Sequence, residues 1–480
     1  MADNPPRARE RFILGAVICI YIIVCCVSLI YVSDDLAPTA YESATYHMFF
    51  DPARLHIAVL TVAAFSIVSS FFIFARFSIG YFVGLYFYTM VLGYLWLNCF
   101  TDLIYDHRLA GLSAAASAIA FLLPALFISA PIRQVYVLSA TAFDRLLLVI
   151  LVLAVAIIAV GAAYNFRIVS IRDIYLFREK LESPTTLNYL IGITSGALLP
   201  FAFAGFAARR AYWLAAAVLL LLLFLYPINL SKFALFTPAW LVIVLILSKL
   251  FEARLAVVLS LLVPMLAGIV LISLFPEKAI PYFFTVNFRT IAIPSTALDV
   301  YNDFFSRHDP TYFCQMSFVK RFVACPYREP LAIIMERTYD LGNYNASLFA
   351  TEGIASVGVL FAPVAVLVCG FVFAVGNRLS AGLPSDFVLT SAAVLPQILL
   401  NVPLTIVLLT YGAGLLFLLW YITPRTIFRT EDGGAKSGCA GNAGNAVEDR
   451  KLTLGTKARN PADRHRRLPP RPPENSNGLR

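Results

Sequence analysis

Charged side chains are scarce in this sequence, and those able to do chemistry concentrate in two stretches. In the first, residues 165–187, Arg167, Arg172, Arg178 and Lys180 alternate with Asp173, Glu179 and Glu182. Arg172 and Arg178 are separated by about 1.7 helical turns, which puts them on different but adjacent faces. Guanidinium groups stay charged at any relevant pH and grip phosphate oxygens in pairs, so two of them near a bilayer suit a diphosphate-linked lipid. The same pattern also describes an amphipathic interfacial helix whose arginines meet ordinary lipid phosphates.

The second stretch, 276–352, is longer and aromatic. Arg289 precedes Ile293-Pro294-Ser295-Thr296, which reads as a helix start, and Leu298, Tyr301 and Phe305 then recur at helical spacing. Asp299 and Asp303 share the other face of that helix. Tyr282, Phe283, Phe284, Tyr312, Phe313, Phe318, Phe322 and Tyr327 offer faces for stacking on sugar rings, or anchors at a membrane interface. His308, beside Asp309, is a candidate general base with a neighbour to orient it, to be weighed against an ordinary surface histidine. Cys314 and Cys325 lie in the same stretch; in an oxidising compartment they form a disulfide closing roughly a dozen residues, contributing on the order of 2–3 kcal/mol. Elsewhere, Lys232 follows the turn Ile228-Asn229-Leu230-Ser231 near a membrane boundary, where a lysine is either functional or snorkelling.

Metal and nucleotide chemistry have little to stand on. The sequence has no CxxC pair, no HExxH, no phosphate-binding glycine loop and no dinucleotide turn. Asp34-Asp35 is the one acidic pair to which a metal hypothesis attaches, and two adjacent carboxylates more often form a solvated loop. No metal and no cofactor is therefore expected.

What must position these residues is a membrane bundle. The chain has 480 residues, 60% of them hydrophobic and only 14% charged, which excludes a water-soluble enzyme. Its apolar residues come in runs of about 20, the length that crosses a hydrocarbon core. The expected fold class is an all-α polytopic membrane protein of about 12 transmembrane helices. The spans fall at about 12–32, 55–75, 79–100, 109–130, 145–164, 188–207, 211–228, 233–249, 255–275, 353–375, 386–401 and 403–423. Arg7, Arg9 and Arg11 precede the first span, and Arg76, Arg133, Arg145, Arg209, Arg210, Lys249, Arg254 and Arg378 then fall on one side, so N-in/C-in is expected. Residues 1–429 form this bundle, with outer loops 165–187 and 276–352; residues 430–480 read as a disordered basic cytoplasmic tail. The net charge of +9 serves topology and anionic membrane lipids; no nucleic acid partner is implied.

Three runs carry a family resemblance. RDIYLFREKLESPTTLNYLIGITSGALLPF, continuing to Leu230-Ser231-Lys232, RTIAIPSTALDVYNDFFSRHDPTYF, and GNYNASLFATEGIASVGVL together resemble the O-antigen polymerase family, the bacterial oligosaccharide repeat-unit polymerases. The resemblance implies a metal-independent membrane glycosyltransferase of the bacterial inner membrane with its active site facing the periplasm. Such an enzyme moves a glycan from one undecaprenyl-diphosphate carrier to the non-reducing end of a carrier-linked repeat unit, with a chain-length regulator and a flippase as expected partners. Carried onto this sequence, it assigns Arg172, Arg178, Lys232 and Arg289 to diphosphate and leaving-group binding, Asn345 to hydrogen bonding of glycan or phosphate, and His308 to the base. An O-antigen ligase, delivering glycan to lipid A core, and a flippase for lipid-linked oligosaccharide are the alternatives; the product, whether O-antigen, capsule or exopolysaccharide, stays open.

Overall fold

The computed structural model describes residues 8–33, 46–170, 174, 177, 183–316, 318–341 and 348–428. Asp34, Asp35, Arg172, Arg178, Asn345 and the tail 430–480 lie outside the described residues. Among those described there is no strand, only an isolated bridge between Met48 and Thr101. Ten helices are long and apolar enough to cross a membrane: Ala8–Ser33, Pro52–Phe74, Ile79–Leu97, His107–Phe127, Ala140–Tyr164, Thr185–Ala208, Tyr212–Asn229, Lys232–Leu250, Ala253–Leu274 and Ala350–Ser380. The chain is an all-α polytopic membrane protein.

The 79–97 helix is the axis of the bundle, with every residue buried. Its glycines explain how neighbours come so close. A Cβ on Gly80 would run into the carbonyl of Ala125 and one on Gly84 into Leu122, so the 107–127 helix lies against that face. Gly93, further along, accepts Ser295 and Ile291 in the same way. Without a hydrophobic driving force between helices in lipid, such small-residue contacts and buried hydrogen bonds are what hold them together. Tyr21 and Thr89 supply one such bond at 2.7 Å between the first helix and the axis. The helices at the rim instead turn aliphatic side chains outward, among them Leu60, Ile67, Val149, Val152, Ile243 and Ile246.

The last two expected spans, 386–401 and 403–423, are not continuous helices. They are built from the short pieces Ser385–Ser391, Leu395–Leu399, Leu404–Leu409 and Ala413–Ile422. Pro396, Pro403 and Gly412, the last with φ of 73°, interrupt the helical ladder. Side chains then satisfy the freed groups: Trp240 Nε1 donates to the Ala393 carbonyl at 2.8 Å, and Leu404 N–H donates to Glu352 Oε2 at 3.2 Å. Trp420 Nε1 adds a bond to Ser391 Oγ at 2.9 Å, tying the broken pieces to each other. Irregular backbone survives at membrane depth only when buried and satisfied in this manner. Leu348 N–H bonds the Leu399 carbonyl inside the bundle, where Phe349 packs against Phe87, Phe121 and Phe373, and Leu138 N–H bonds the Ile422 carbonyl where the last piece ends.

A second difference concerns 276–352, expected as an outer loop. Its first part is helical: Pro276–Phe283 leads into a π-helical turn, Phe284–Ala292, and then Ile293–Phe305. These pieces pack into the bundle against the first, 79–97, 253–274 and 350–380 helices, because both their apolar and their polar faces find partners there. Asn287 Nδ2 donates to Ser28 Oγ and to the Met265 carbonyl, at 2.9 and 2.8 Å, and Ser295 Oγ donates to the Met90 carbonyl at 3.1 Å.

If Gly93 is the notch that admits this helix, Gly93→Val will destabilise the protein by about 1–3 kcal/mol through overpacking. A clear drop in the thermal unfolding midpoint of the detergent-solubilised protein checks this, with Gly15→Ala, which meets only the flexible tip of Ile73 at 3.3 Å, staying near the wild type.

Candidate functional site

The polar residues of Ile293–Phe305 gather at one end of the bundle. Asp299 is 2% exposed. Thr101 Oγ1 donates to its Oδ2 at 2.6 Å, and the Tyr105 hydroxyl donates to its Oδ1. The segment between the 79–97 and 107–127 helices is what carries both hydroxyls to the carboxylate. It is pinned by the Met48–Thr101 bridge, by Phe49 N–H on the Phe100 carbonyl at 3.1 Å, and by His47 Nδ1 on Asp102 Oδ1 at 2.8 Å. The Tyr105 hydroxyl also lies 3.0 Å from Asn98 Oδ1 and 3.1 Å from the Tyr94 hydroxyl, which accepts from Asn302 Nδ2 at 3.2 Å. His107 Nδ1 closes the group at 2.8 Å from Asn98 Oδ1.

One turn on, Asp303 is fully buried. It is paired with Arg307 and accepts the Tyr339 hydroxyl at 2.6 Å. Burial pushes the Asp299 carboxyl up to about 7, against the pull of the Thr101 and Tyr105 hydroxyls. Burial, then the adjacent carboxylates, push the Tyr105 and Tyr339 hydroxyls up. A carboxyl poised there exchanges a proton near neutrality, with hydroxyls on both oxygens able to give or receive it.

The expected site residues distribute around this cluster. Arg289 sits on the π-helical turn, exposed and without an ion pair among the described residues. His308 is exposed just beyond the end of the helix that carries the two aspartates. Its ring stacks on Phe304 at 3.9 Å, and Nδ1–H donates to the Phe304 carbonyl at 2.8 Å. Since a carbonyl only accepts, the neutral ring carries its lone pair on Nε2, the nitrogen available as a base. The orienting partner is thus the Phe304 carbonyl rather than the neighbouring Asp309. Lys232 opens the 232–250 helix, after Leu230 in a left-handed conformation with φ of 47°. Cys314 and Cys325 are joined as a disulfide.

The alternation of the helices brings Lys232 to the same end as the described flanks of the first stretch, residues 165–170 and 183–184, and His308 lies there beyond Phe305, whereas the turn carrying Arg289 sits within the bundle, its Asn287 on the Met265 carbonyl. There the Tyr226 hydroxyl donates to the Val169 carbonyl, and Arg167 N–H to the Pro227 carbonyl at 2.8 Å. Reading the sequence alone missed Thr101, Tyr105, Asn98 and Asn302 as members of this polar cluster. The available signal was the polar run Asn98–His107 between two apolar spans, which is more than a short connection needs.

No family model matches the chain, and neither a curated protein nor a solved structure does. The fold and this cluster define the class on their own: a multi-pass helical membrane protein with an acid and tyrosine cluster at one end of its bundle.

The Asp299 environment sets a pH dependence with a definite sign. The folded protein keeps this proton up to about pH 7, whereas an unfolded chain releases it near 3.8. Asp299 therefore lowers stability progressively as pH rises from about 4 to about 7, by on the order of 4 kcal/mol in total, and adds no further slope above that window. Asp299→Asn removes this slope; unfolding midpoints across the window, wild type against variant, check it through a difference that grows with pH.

Proposed function

We propose that the protein is a lipid-linked glycan transferase, an oligosaccharide repeat-unit polymerase working at the outer face of a bacterial inner membrane. The observation that carries this reading is Arg289: an exposed guanidinium, with no ion pair among the described residues, on a turn otherwise drawn into the bundle and leading into the helix that ends beside His308. Together with Arg172 and Arg178 it supplies the positive charge that a departing lipid diphosphate requires.

In the proposed step the acceptor sugar hydroxyl attacks the anomeric carbon of the donor glycan. A new glycosidic bond forms, the bond from that carbon to the diphosphate oxygen breaks, and the lipid diphosphate leaves with the electron pair. The hydroxyl proton passes to a base, for which His308 Nε2 is the exposed candidate. Asn345 is assigned to hydrogen bonding of the glycan or phosphate. The undecaprenyl-diphosphate-linked oligosaccharide is the substrate, and a chain-length regulator and flippase are the expected partners.

A second reading is favoured by different observations. Interrupted helices within the bundle, buried acids at Asp299 and Asp303 and a half-buried one at Glu352 are also what transporters use, which keeps a flippase for lipid-linked oligosaccharide in view. A ligase shares the donor and differs only in its acceptor, lipid A core.

Purified protein in detergent separates these readings, since transport has no readout without compartments. A ladder of longer glycans from carrier-linked repeat units supports the polymerase. No product from repeat units, but transfer when lipid A core is added, supports the ligase, and no product in either case leaves the flippase. Arg289→Ala, Arg172→Ala and Arg178→Ala should each lower transfer by about 100-fold or more, the loss seen when one charge-stabilising donor is removed. The matching lysine variants should recover only part of it, because a point charge lacks the paired geometry. Full activity in all three alanine variants would overturn the diphosphate site.

A further inference from the structure

The disulfide-closed turn at the same end of the bundle has a surface that neither the buried cluster nor the transfer step uses. Around Val319–Arg321 the backbone makes a 3-10 turn, with Val319 and Lys320 N–H on the Met316 carbonyl and Phe322 and Val323 N–H on the Val319 carbonyl. Phe318 and Phe322, flanking that turn, both face outward, 65% and 86% exposed. Between them stand Lys320 and Arg321, and beyond the disulfide stands Arg328. All three cations are exposed and make no ion pair among the described residues. The sequence from Tyr312 to Arg328 holds no Asp or Glu to neutralise them.

The turn is held rigidly. Thr311 and Tyr312 N–H donate to the Ala355 and Ser356 carbonyls at 2.7 and 3.0 Å, next to Gly358, where the 350–380 helix kinks. The Tyr327 hydroxyl donates to the Asp309 carbonyl at 2.6 Å on the other side. Two outward phenylalanines beside unpaired cations, presented by a cross-linked turn in a membrane-spanning chain, match one partner in particular. Phe carries no polar atom to satisfy a glycan hydroxyl, so hydrocarbon is its natural contact, while Lys and Arg at its flank meet phosphate.

We propose that the Phe318–Phe322 turn, with Lys320 and Arg321, docks on the anionic lipid surface of the protein's own bilayer and so tethers the segment that overlies the acid cluster. This holds whichever reaction or transport the protein performs.

Photo-crosslinking tests it directly. The full chain, with benzoyl-phenylalanine at position 322, is placed in vesicles of equal phosphatidylglycerol and phosphatidylcholine, and adducts are read by mass spectrometry. A parallel sample labelled at position 418, where Leu418 faces outward from the bundle, verifies insertion. The expected result is a phospholipid adduct at 322 that favours phosphatidylglycerol by about tenfold, falling to near parity in Lys320→Gln/Arg321→Gln. Lipid adducts at 418 with none at 322 would overturn the proposal. So would a crosslink from 322 to another protein chain, or a lipid adduct indifferent to headgroup and to the glutamine variants.

Discussion

The interior of a bilayer offers no water to an unpaired amide or carboxyl, and the architecture of this protein follows from meeting that demand. Where the chain stays helical the backbone satisfies itself, and sequence runs of aliphatic residues suffice, as at the rim. Where helices break, between Ser391 and Ala413, side chains from elsewhere must step in. Trp240 and Glu352 do so, each from a different part of the chain, and Trp420 ties the broken pieces together through Ser391 Oγ. Irregularity is thereby confined to the inside of the bundle, against the 185–208 helix, whose Gly192 and Gly196 leave room for the Thr410 and Tyr411 carbonyls.

The same demand shapes the acid cluster. Two aspartates on one helix, a turn apart, are drawn inside because hydroxyls and an arginine wait for them: Thr101 and Tyr105 for Asp299, Arg307 and Tyr339 for Asp303. The two carboxyls differ in character as a result. Asp303 has a guanidinium to hold its charge, whereas Asp299 has only neutral donors and a distant His47, so desolvation governs it. One helix thus carries an ion-paired acid and a desolvated one, and the turn that precedes it carries exposed Arg289.

Above the cluster lies a second layer, built with other means. Residues 306–316 and 318–341 are held by Met335 and Leu341 in the core, by Leu331, Ile334 and Tyr327 packed against it, by backbone bonds to the kinked 350–380 helix and by the Cys314–Cys325 bridge, while Phe318 and Phe322 face outward.

The sequence by itself determined the class of protein, most of the spans and the position of the disulfide pair. Hydrophobic length and charge scarcity act locally, so 107–127, 140–164 or 253–274 could be read within a few residues. It also marked Arg289, Lys232 and His308 as residues with chemistry to offer. What only the tertiary structure decided was everything that depends on a distant partner. Asp299 and Asp303 looked like the outer face of a loop helix, and became buried because Thr101, Tyr105 and Tyr339 complete them from other segments. Spans 386–401 and 403–423 read as continuous by hydropathy, yet Pro396, Pro403 and Gly412 break them, and remote Trp240 and Glu352 supply hydrogen bonds to the broken backbone. Hydropathy sums over neighbours in the chain, whereas the cost of burying a polar group is set by neighbours in space.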